Sequence, residues 1–287
     1  MKNILVTGGN GQLGQELQRL AKGSEHTFLF TDVAELDITD LSAVERYFAE
    51  KKINVCINCA AYTAVDKAET DEATAIRINV TGAENLGKAC ATQGAVLFHI
   101  STDFVFDGAS GKLYTETDAP NPLGVYGATK LKGEQKALAA NPKTYVVRTA
   151  WLYSSFANNF VKTMLRLGEE RKELGIVADQ VGTPTYAADL AKALLQMLEK
   201  EPGPAAFGVY HYSNEGVASW YDFAVAIFEM GGLQVKVNPI PTEAYPVPAK
   251  RPSYSVLDKR KIKESFGLSV PHWRNSLKQC LAELQSQ

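Results

Sequence analysis

Tyr126 stands four residues ahead of Lys130 in the stretch VYGATKLKGE. On a helix that spacing puts a phenol and an ammonium on one face, one turn apart. The pair suits proton donation to a carbonyl oxygen that gains charge as hydride reaches its carbon. A phenol ordinarily ionises near pH 10, and a neighbouring ammonium favours its phenolate and lowers that value. The lysine can also hydrogen-bond a cofactor ribose and hold it in place. Spacing alone does not decide the matter, because Tyr47 and Lys51 repeat it. Before Tyr126, however, the apolar run AVLFHIS leads into Ser101, Thr102 and Asp103. Thr102 offers a second hydrogen bond to the same carbonyl oxygen. No such strand end precedes Tyr47, which reads as a core tyrosine followed by a solvated lysine.

A hydride donor has to be held beside that pair, and the N-terminal segment VTGGNGQLGQEL carries the pattern for one. Gly8, Gly11 and Gly14 stand three apart between an apolar strand and an amphipathic helix, with Gln12 and Leu13 among them. Glycines there let the backbone turn sharply and approach a pyrophosphate, whose charge meets the helix N-terminus. Asp32 ends the second strand, with Val33 after it, where an acid hydrogen-bonds the adenosine ribose. A carboxylate suits a free 2′-hydroxyl, and no Arg or Lys follows in DVAEL, so the residues favour NADH, with NADPH the alternative. Asp37 and Ile38 in LDITD are placed beside the adenine, as in similar folds. Ala60, Ala61, Tyr62 and Thr63, ending the third strand, are placed beside the nicotinamide ribose together with Ser101.

These residues need a scaffold, and the first half of the chain describes one. Strand-like runs at 3–8, 27–32, 53–60, 95–101 and 144–150 alternate with helical patterns. The helical patterns run from about Gln12 to Ala21, over 41–52, between about Ala68 and Thr92, and from Gly127 to Ala140. Such alternation predicts βαβ units, hence an α/β Rossmann-type doubly wound parallel sheet. Past Trp151 the rhythm loosens, with helical segments near 157–172, 188–200, 220–231 and 273–284. DQVGTPTYAAD and the proline-rich 238–252 read as loop. Residues 1–150 are therefore expected to form the dinucleotide domain, with parts of 175–205 returning to it. Residues 151–287 are expected to form mainly a smaller α/β substrate-binding lobe.

Composition sets the class of partner. The 287 residues carry 30 basic and 32 acidic side chains, a net charge of −2, which argues against bulk binding of nucleic acid or anionic membrane. No apolar run approaches the 18 or so residues of a membrane span, and the N-terminus shows no leader pattern. A cytoplasmic enzyme, monomer or homodimer, is expected. Cys56 and Cys59 form a C-x-x-C, but in INVCINCAA positions three apart point to opposite faces of a strand. Free thiols in a reducing compartment are the expectation.

With Gly8, Gly11, Gly14, Thr102, Tyr126 and Lys130 in this order, the chain resembles the extended short-chain dehydrogenases/reductases. AAYTAVDKAE, STDFVFDG, YGATKLKGE, RTAWLY, NNFVKTML, DQVGTPT and RPSYSVLD narrow the resemblance to the dTDP-4-dehydrorhamnose reductase family over nearly the whole chain. The resemblance implies NAD(P)H-dependent reduction of the C4 ketone of dTDP-4-dehydro-L-rhamnose, giving a precursor of cell-surface polysaccharide. It implies that Thr102 and Tyr126 bind and protonate the ketone oxygen, while Lys130 orients the cofactor and tunes Tyr126. It places Asp103 and Trp151 against the sugar and Asn159 and Arg251 near the diphosphate. Related 4,6-dehydratases carry a glutamate after the aspartate; Phe104 stands there, which fits simple reduction. Glu16 matches one glutamate through which some relatives hold Mg²⁺, but Ala188 stands where a second would be, and no metal is assigned. Two alternatives stay open: another nucleotide 4-keto-6-deoxy sugar as substrate, or a non-catalytic cofactor-binding regulatory homologue.

Overall fold

The computed structural model describes residues 1–200 and 206–286. Five strands come in sequence order: β1 (Asn3–Thr7), β2 (Thr27–Thr31), β3 (Val55–Asn58), β4 (Val96–Thr102) and β5 (Thr144–Thr149). A sixth, Gly208–His211, completes the sheet in the order (Gly208–His211)-β5-β4-β3-β1-β2. Every pairing within this sheet is parallel. The order reverses between β1 and β3, and open α/β sheets bind ligands at the carboxyl ends of strands at such a point.

Alternation along the strands builds two apolar layers. Ile4, Val6, Val55, Ile57 and Phe98 face one core, completed by Leu13 and Leu17 of helix Gln12–Ala21 and Leu190 and Leu194 of helix Ala187–Lys200. Leu5, Cys56 and Leu97 face the other, against Val44 and Phe48 of helix Leu41–Lys51, Leu86 of helix Ala83–Gln93 and Ala137 of helix Val125–Ala140. Cys59 packs on the first layer and Cys56 lies in the second, so the C-x-x-C pair points to opposite sides, and all four cysteines are free.

A separate core gathers Tyr153, Val161, Phe223, Ile227, Trp273 and Leu277. It is built from helices Phe160–Glu170, Trp220–Gly231 and Trp273–Gln285 and the parallel pair Glu173–Val177 with Lys236–Ile240. Ser219 starts helix Trp220–Gly231 with a reciprocal capping box to Asp222. Past Trp151 the chain returns to the sheet core in three places: helix Ala187–Lys200, strand Gly208–His211 and helix Arg260–Phe266.

The structure corrects several expectations. The region between Ala68 and Thr92 is helical as expected but in pieces: short helices Val65–Ala68 and Glu72–Ile76 lead into a π-helical segment, Arg77–Gly82, before helix Ala83–Gln93. The proline-rich 238–252 is strand as far as Ile240, with Pro239 accommodated because that two-stranded sheet is all edge. DQVGTPTYAAD contains two short strands, Val181–Gly182 and Thr185–Tyr186. Strands this short leave no legible periodicity.

Candidate active site

A cavity of about 860 Å³ opens at the carboxyl ends of β1, β3 and β4. Its dinucleotide end is made by the glycine turn. Gly8 adopts φ +66°, and a Cβ there would lie 2.7 Å from the Ala60 nitrogen at the end of β3. A Cβ on Gly14 would meet the Gly9 carbonyl oxygen at 2.6 Å. Helix Gln12–Ala21 starts without a side-chain cap and without an acid in its first turn, so its leading N–H groups face the cavity for an anion. The cradle fits a pyrophosphate. A Gly14→Ala variant is expected to weaken dinucleotide binding at least about tenfold, because the backbone must retreat from the phosphate path. Fluorescence titration with NADH and NADPH measures it.

Asp32 lines the cavity beside the cradle. Its Oδ1 accepts from the Val33 N–H at 2.8 Å and its Oδ2 from the Asn10 N–H at 3.2 Å. Glu35 accepts the Asp32 N–H at 2.8 Å, adding a second carboxylate that sequence reasoning did not single out. Gln12, Leu13, Val33, Asp37 and Ile38 line the same end. The Thr39 N–H and hydroxyl hold the Asp37 carboxyl below its usual range, and Asn85 fixes the Ile38 carbonyl with a bond of 3.0 Å.

Beside the cradle, at the end of β3, the cavity takes in Ala60, Ala61 and Thr63, and beyond them Ser101, Thr102, Asp103, Tyr126 and Lys130. Thr102 is positioned as the cap of the single turn Asp103–Val105: its Oγ1 accepts from the Phe104 N–H at 3.2 Å and donates to Asp103 at 3.1 Å. The Thr102 hydroxyl also reaches the Tyr126 phenol, whose ring meets Phe104 edge-on with centroids 5.5 Å apart. Lys130 is 2 % exposed, and its Nζ donates to the Ile100 carbonyl at 2.6 Å. Burial lowers Lys130 to about 8 against the opposing pull of Glu134. Burial also pushes the buried Asp103 carboxyl up to about 6, opposed by bonds from Ser255 and Thr102.

Two expectations change. Tyr126 is not lowered by Lys130; burial pushes the phenol up to about 12, the Thr102 bond opposing and Asp103 adding to the rise. Ser101 lines the cavity, while its hydroxyl donates to Glu134 at 2.5 Å. Tyr62 does not line the cavity: its hydroxyl donates to Asp71 at 3.1 Å and its N–H to Asn79 at 2.8 Å. Asn79, on the π-helical segment, also donates to Thr129, so it ties the end of β3 to the helix of Tyr126.

Trp151 lines the cavity with φ +48°, a strained conformation for a bulky residue. Its indole stacks on Trp220, centroids 3.6 Å apart and planes 4° apart. Trp220 lines the cavity too, a site residue that no local pattern marks, since its partner is far along the chain. Arg251 reaches the cavity and forks onto Asp66 at 2.8 and 3.1 Å. Asn159 does not line it. Its Oδ1 accepts from the Lys162 N–H at 3.2 Å and its amide donates to Ser154 and Phe156, so the side chain is used in capping helix Phe160–Glu170. Asn158 and Ala157 line the wall in its place.

The Glu16 carboxylate is engaged within the chain. Arg19 ion-pairs with Glu16 and with Glu283, each at 2.8 Å, so a guanidinium already bridges these carboxylates. Ala188 lies in the apolar core. Burial raises the Glu16 carboxyl to about 7 in spite of Arg19.

A parallel sheet with a glycine cradle at its switch point, an acid at the ribose position and a Thr–Tyr–Lys group at the next strand end defines a Rossmann-type nucleotide-binding reductase class. The chain belongs to the RmlD substrate binding domain family, whose model matches residues 1–286. It is 43% identical to the dTDP-4-dehydrorhamnose reductase of Aggregatibacter actinomycetemcomitans, over 97% of this chain and 98% of the relative. A solved dTDP-4-dehydrorhamnose reductase from Clostridium acetobutylicum superposes with a TM-score of 0.95 at 49% identity, covering 99% of each chain. The enzyme of that name from Bacillus anthracis, solved in complex with NADP, gives 0.94 at 40%, covering 98% of this chain and 99% of the other.

Proposed function

We propose that the protein reduces the C4 ketone of dTDP-4-dehydro-L-rhamnose to dTDP-L-rhamnose, with NADPH or NADH as hydride donor. The observation that carries this reading is the Thr102–Tyr126–Lys130 group at the end of β4, inside the same cavity as the glycine cradle. Gly8, Gly11 and Gly14 would hold the pyrophosphate, and Asp32, Asp37 and Ile38 the adenosine half. The bound nicotinamide supplies hydride; the chain's own residues manage the proton. Thr102 and Tyr126 bond the ketone oxygen, and Tyr126 yields its proton as charge develops there. Raised by burial, the phenol is protonated throughout the neutral range, as an acid must be. Lys130 places its ammonium behind the pair, where it orients the cofactor ribose and offsets the phenolate left after transfer. The Trp151–Trp220 stack and Asp103 form the wall for the sugar, and Arg251 suits the diphosphate.

Phe104 after Asp103 supports reduction over dehydration. The presence of all three reactive groups supports an enzyme over a regulatory homologue. The substrate is a small nucleotide sugar, and the protein works in the cytoplasm as a monomer or homodimer. Its four free cysteines accord with a reducing compartment, and no helix among the described residues is long and apolar enough to cross a membrane. Purified protein mixed with the dTDP-4-keto sugar should oxidise NADH or NADPH, followed at the nicotinamide absorbance. No oxidation with either donor would sink the proposal; turnover only with another nucleotide would replace the substrate.

Asp32 and Glu35 together favour the donor with a free 2′-hydroxyl. Replacing Asp32 by Ala is expected to raise the NADPH-to-NADH ratio of kcat/KM about tenfold, because a negative charge facing the 2′-phosphate is removed. Steady-state kinetics with both donors tests this.

A further inference from the structure

Beneath Tyr126 and Lys130, one further turn along the same helix, lies Glu134, only 2 % exposed. Its Oε1 accepts the Ser101 hydroxyl at 2.5 Å and the Arg148 Nε at 2.9 Å, while Oε2 accepts the Arg148 Nη2 at 2.7 Å. Ser101 sits between Ile100, whose carbonyl takes the Lys130 ammonium, and Thr102. One carboxylate therefore connects the helix of Tyr126, the catalytic end of β4 and Arg148 on β5. We propose that Glu134 is a positioning residue for the reduction, fixing Thr102 against Tyr126 and balancing the charge of the Lys130 ammonium. The proposal rests on the reductase reading.

The other groups around Lys130 do not replace that balance. From its own helix come Tyr126, a neutral phenol, and Glu134. From β4 come the Ile100 carbonyl and His99, whose ring is driven well below its usual range by burial and by Lys130, and so stays neutral. From the end of β3 comes Cys59, a thiol pushed up to about 12 by burial and so also uncharged. Arg148 reaches Glu134 from β5. Glu84, Lys88 and Lys136 pair with one another on the partly exposed outer side of the helices. Burial works to strip the proton from Lys130, and the carboxylate of Glu134 is the charged group that resists it. Without that carboxylate the lysine deprotonates at lower pH, and the alkaline limb of the rate profile moves down with it.

Glu134→Gln alone would strand a buried guanidinium, so the test pairs it with Arg148→Met. The full chain, labelled with ¹³C-lysine, is titrated by NMR, with the Lys130 signal assigned by its loss in Lys130→Arg. In the folded double variant the Lys130 midpoint is expected to fall by about one unit or more. The alkaline limb of kcat/KM should follow, with about fivefold less activity at the wild-type midpoint pH for a one-unit fall. Glu134→Asp, which keeps the charge and shortens the reach, should hold the midpoint while slowing turnover at all pH values. A midpoint unmoved in the double variant, or displaced as far in Glu134→Asp, overturns the proposal. The titration needs no substrate. Wild-type protein that fails to turn over would count against the reductase reading, and an unmoved midpoint against Glu134 alone.

Discussion

Tyr126→Phe will lose about 10²- to 10⁴-fold in kcat while binding the dinucleotide as wild type does. The substitution removes one oxygen and keeps the ring against Phe104. The cradle at Gly8 and Gly14 and the acid at Asp32 belong to other elements of the cavity wall and keep their own contacts. Hydride transfer without a proton leaves an alkoxide bonded only by Thr102, in a site that burial has made hostile to charge. The loss should therefore appear in kcat, with cofactor affinity by fluorescence titration unchanged. Because the phenol is raised to about 12, the wild-type profile should not decline through phenol ionisation near neutrality. Lys130, held near 8, is the group that sets the alkaline limit. Full turnover by Tyr126→Phe would remove this residue as the acid.

Arg148→Met will destabilise the fold by about 3–5 kcal/mol, the usual consequence of removing one partner of a buried ion pair. Arg148 and Glu134 are 3 % and 2 % exposed, and their pairing distance is 2.7 Å. The guanidinium also lies over the Phe106 ring, 5.2 Å from its centroid. Removing it leaves an interior carboxylate that has lost its ion-pair partner and keeps the Ser101 hydroxyl as a hydrogen-bond donor, and thermal unfolding should start on the order of 10 °C earlier. Glu134→Leu combined with Arg148→Met removes both charges and is expected to recover most of the loss. Differential scanning calorimetry of the two variants checks the pair; equal destabilisation in both would show that packing, not charge, governs the site.

Much of this was legible in the residues because the information is local. Gly8, Gly11 and Gly14 sit within one turn, and their glycine requirement comes from contacts made at once with the turn itself and the next strand. Tyr126 and Lys130 share a helix face by spacing alone. Alternating runs of Val, Ile and Leu announce strands buried on both faces, so five of the six sheet strands could be placed. Cys56 and Cys59 were separated correctly by strand geometry.

What the sequence by itself determined, then, is the set of reactive groups, their order along the chain and the sheet that carries them. Tertiary structure decided which of those groups are available and how they ionise. Ser101 and Tyr62 carry suitable hydroxyls, yet Glu134 and Asp71 engage them. Asn159 has a suitable amide, and the helix that follows it uses that amide as a cap. Trp220 joins Trp151 from a distant segment, and strand Gly208–His211 joins the sheet although its four residues show no period of their own. The Tyr126 phenol rises instead of falling because burial, with Asp103 adding to it, outweighs the Thr102 hydrogen bond. That balance depends on how many atoms exclude water from the site, a quantity set only when distant segments pack together.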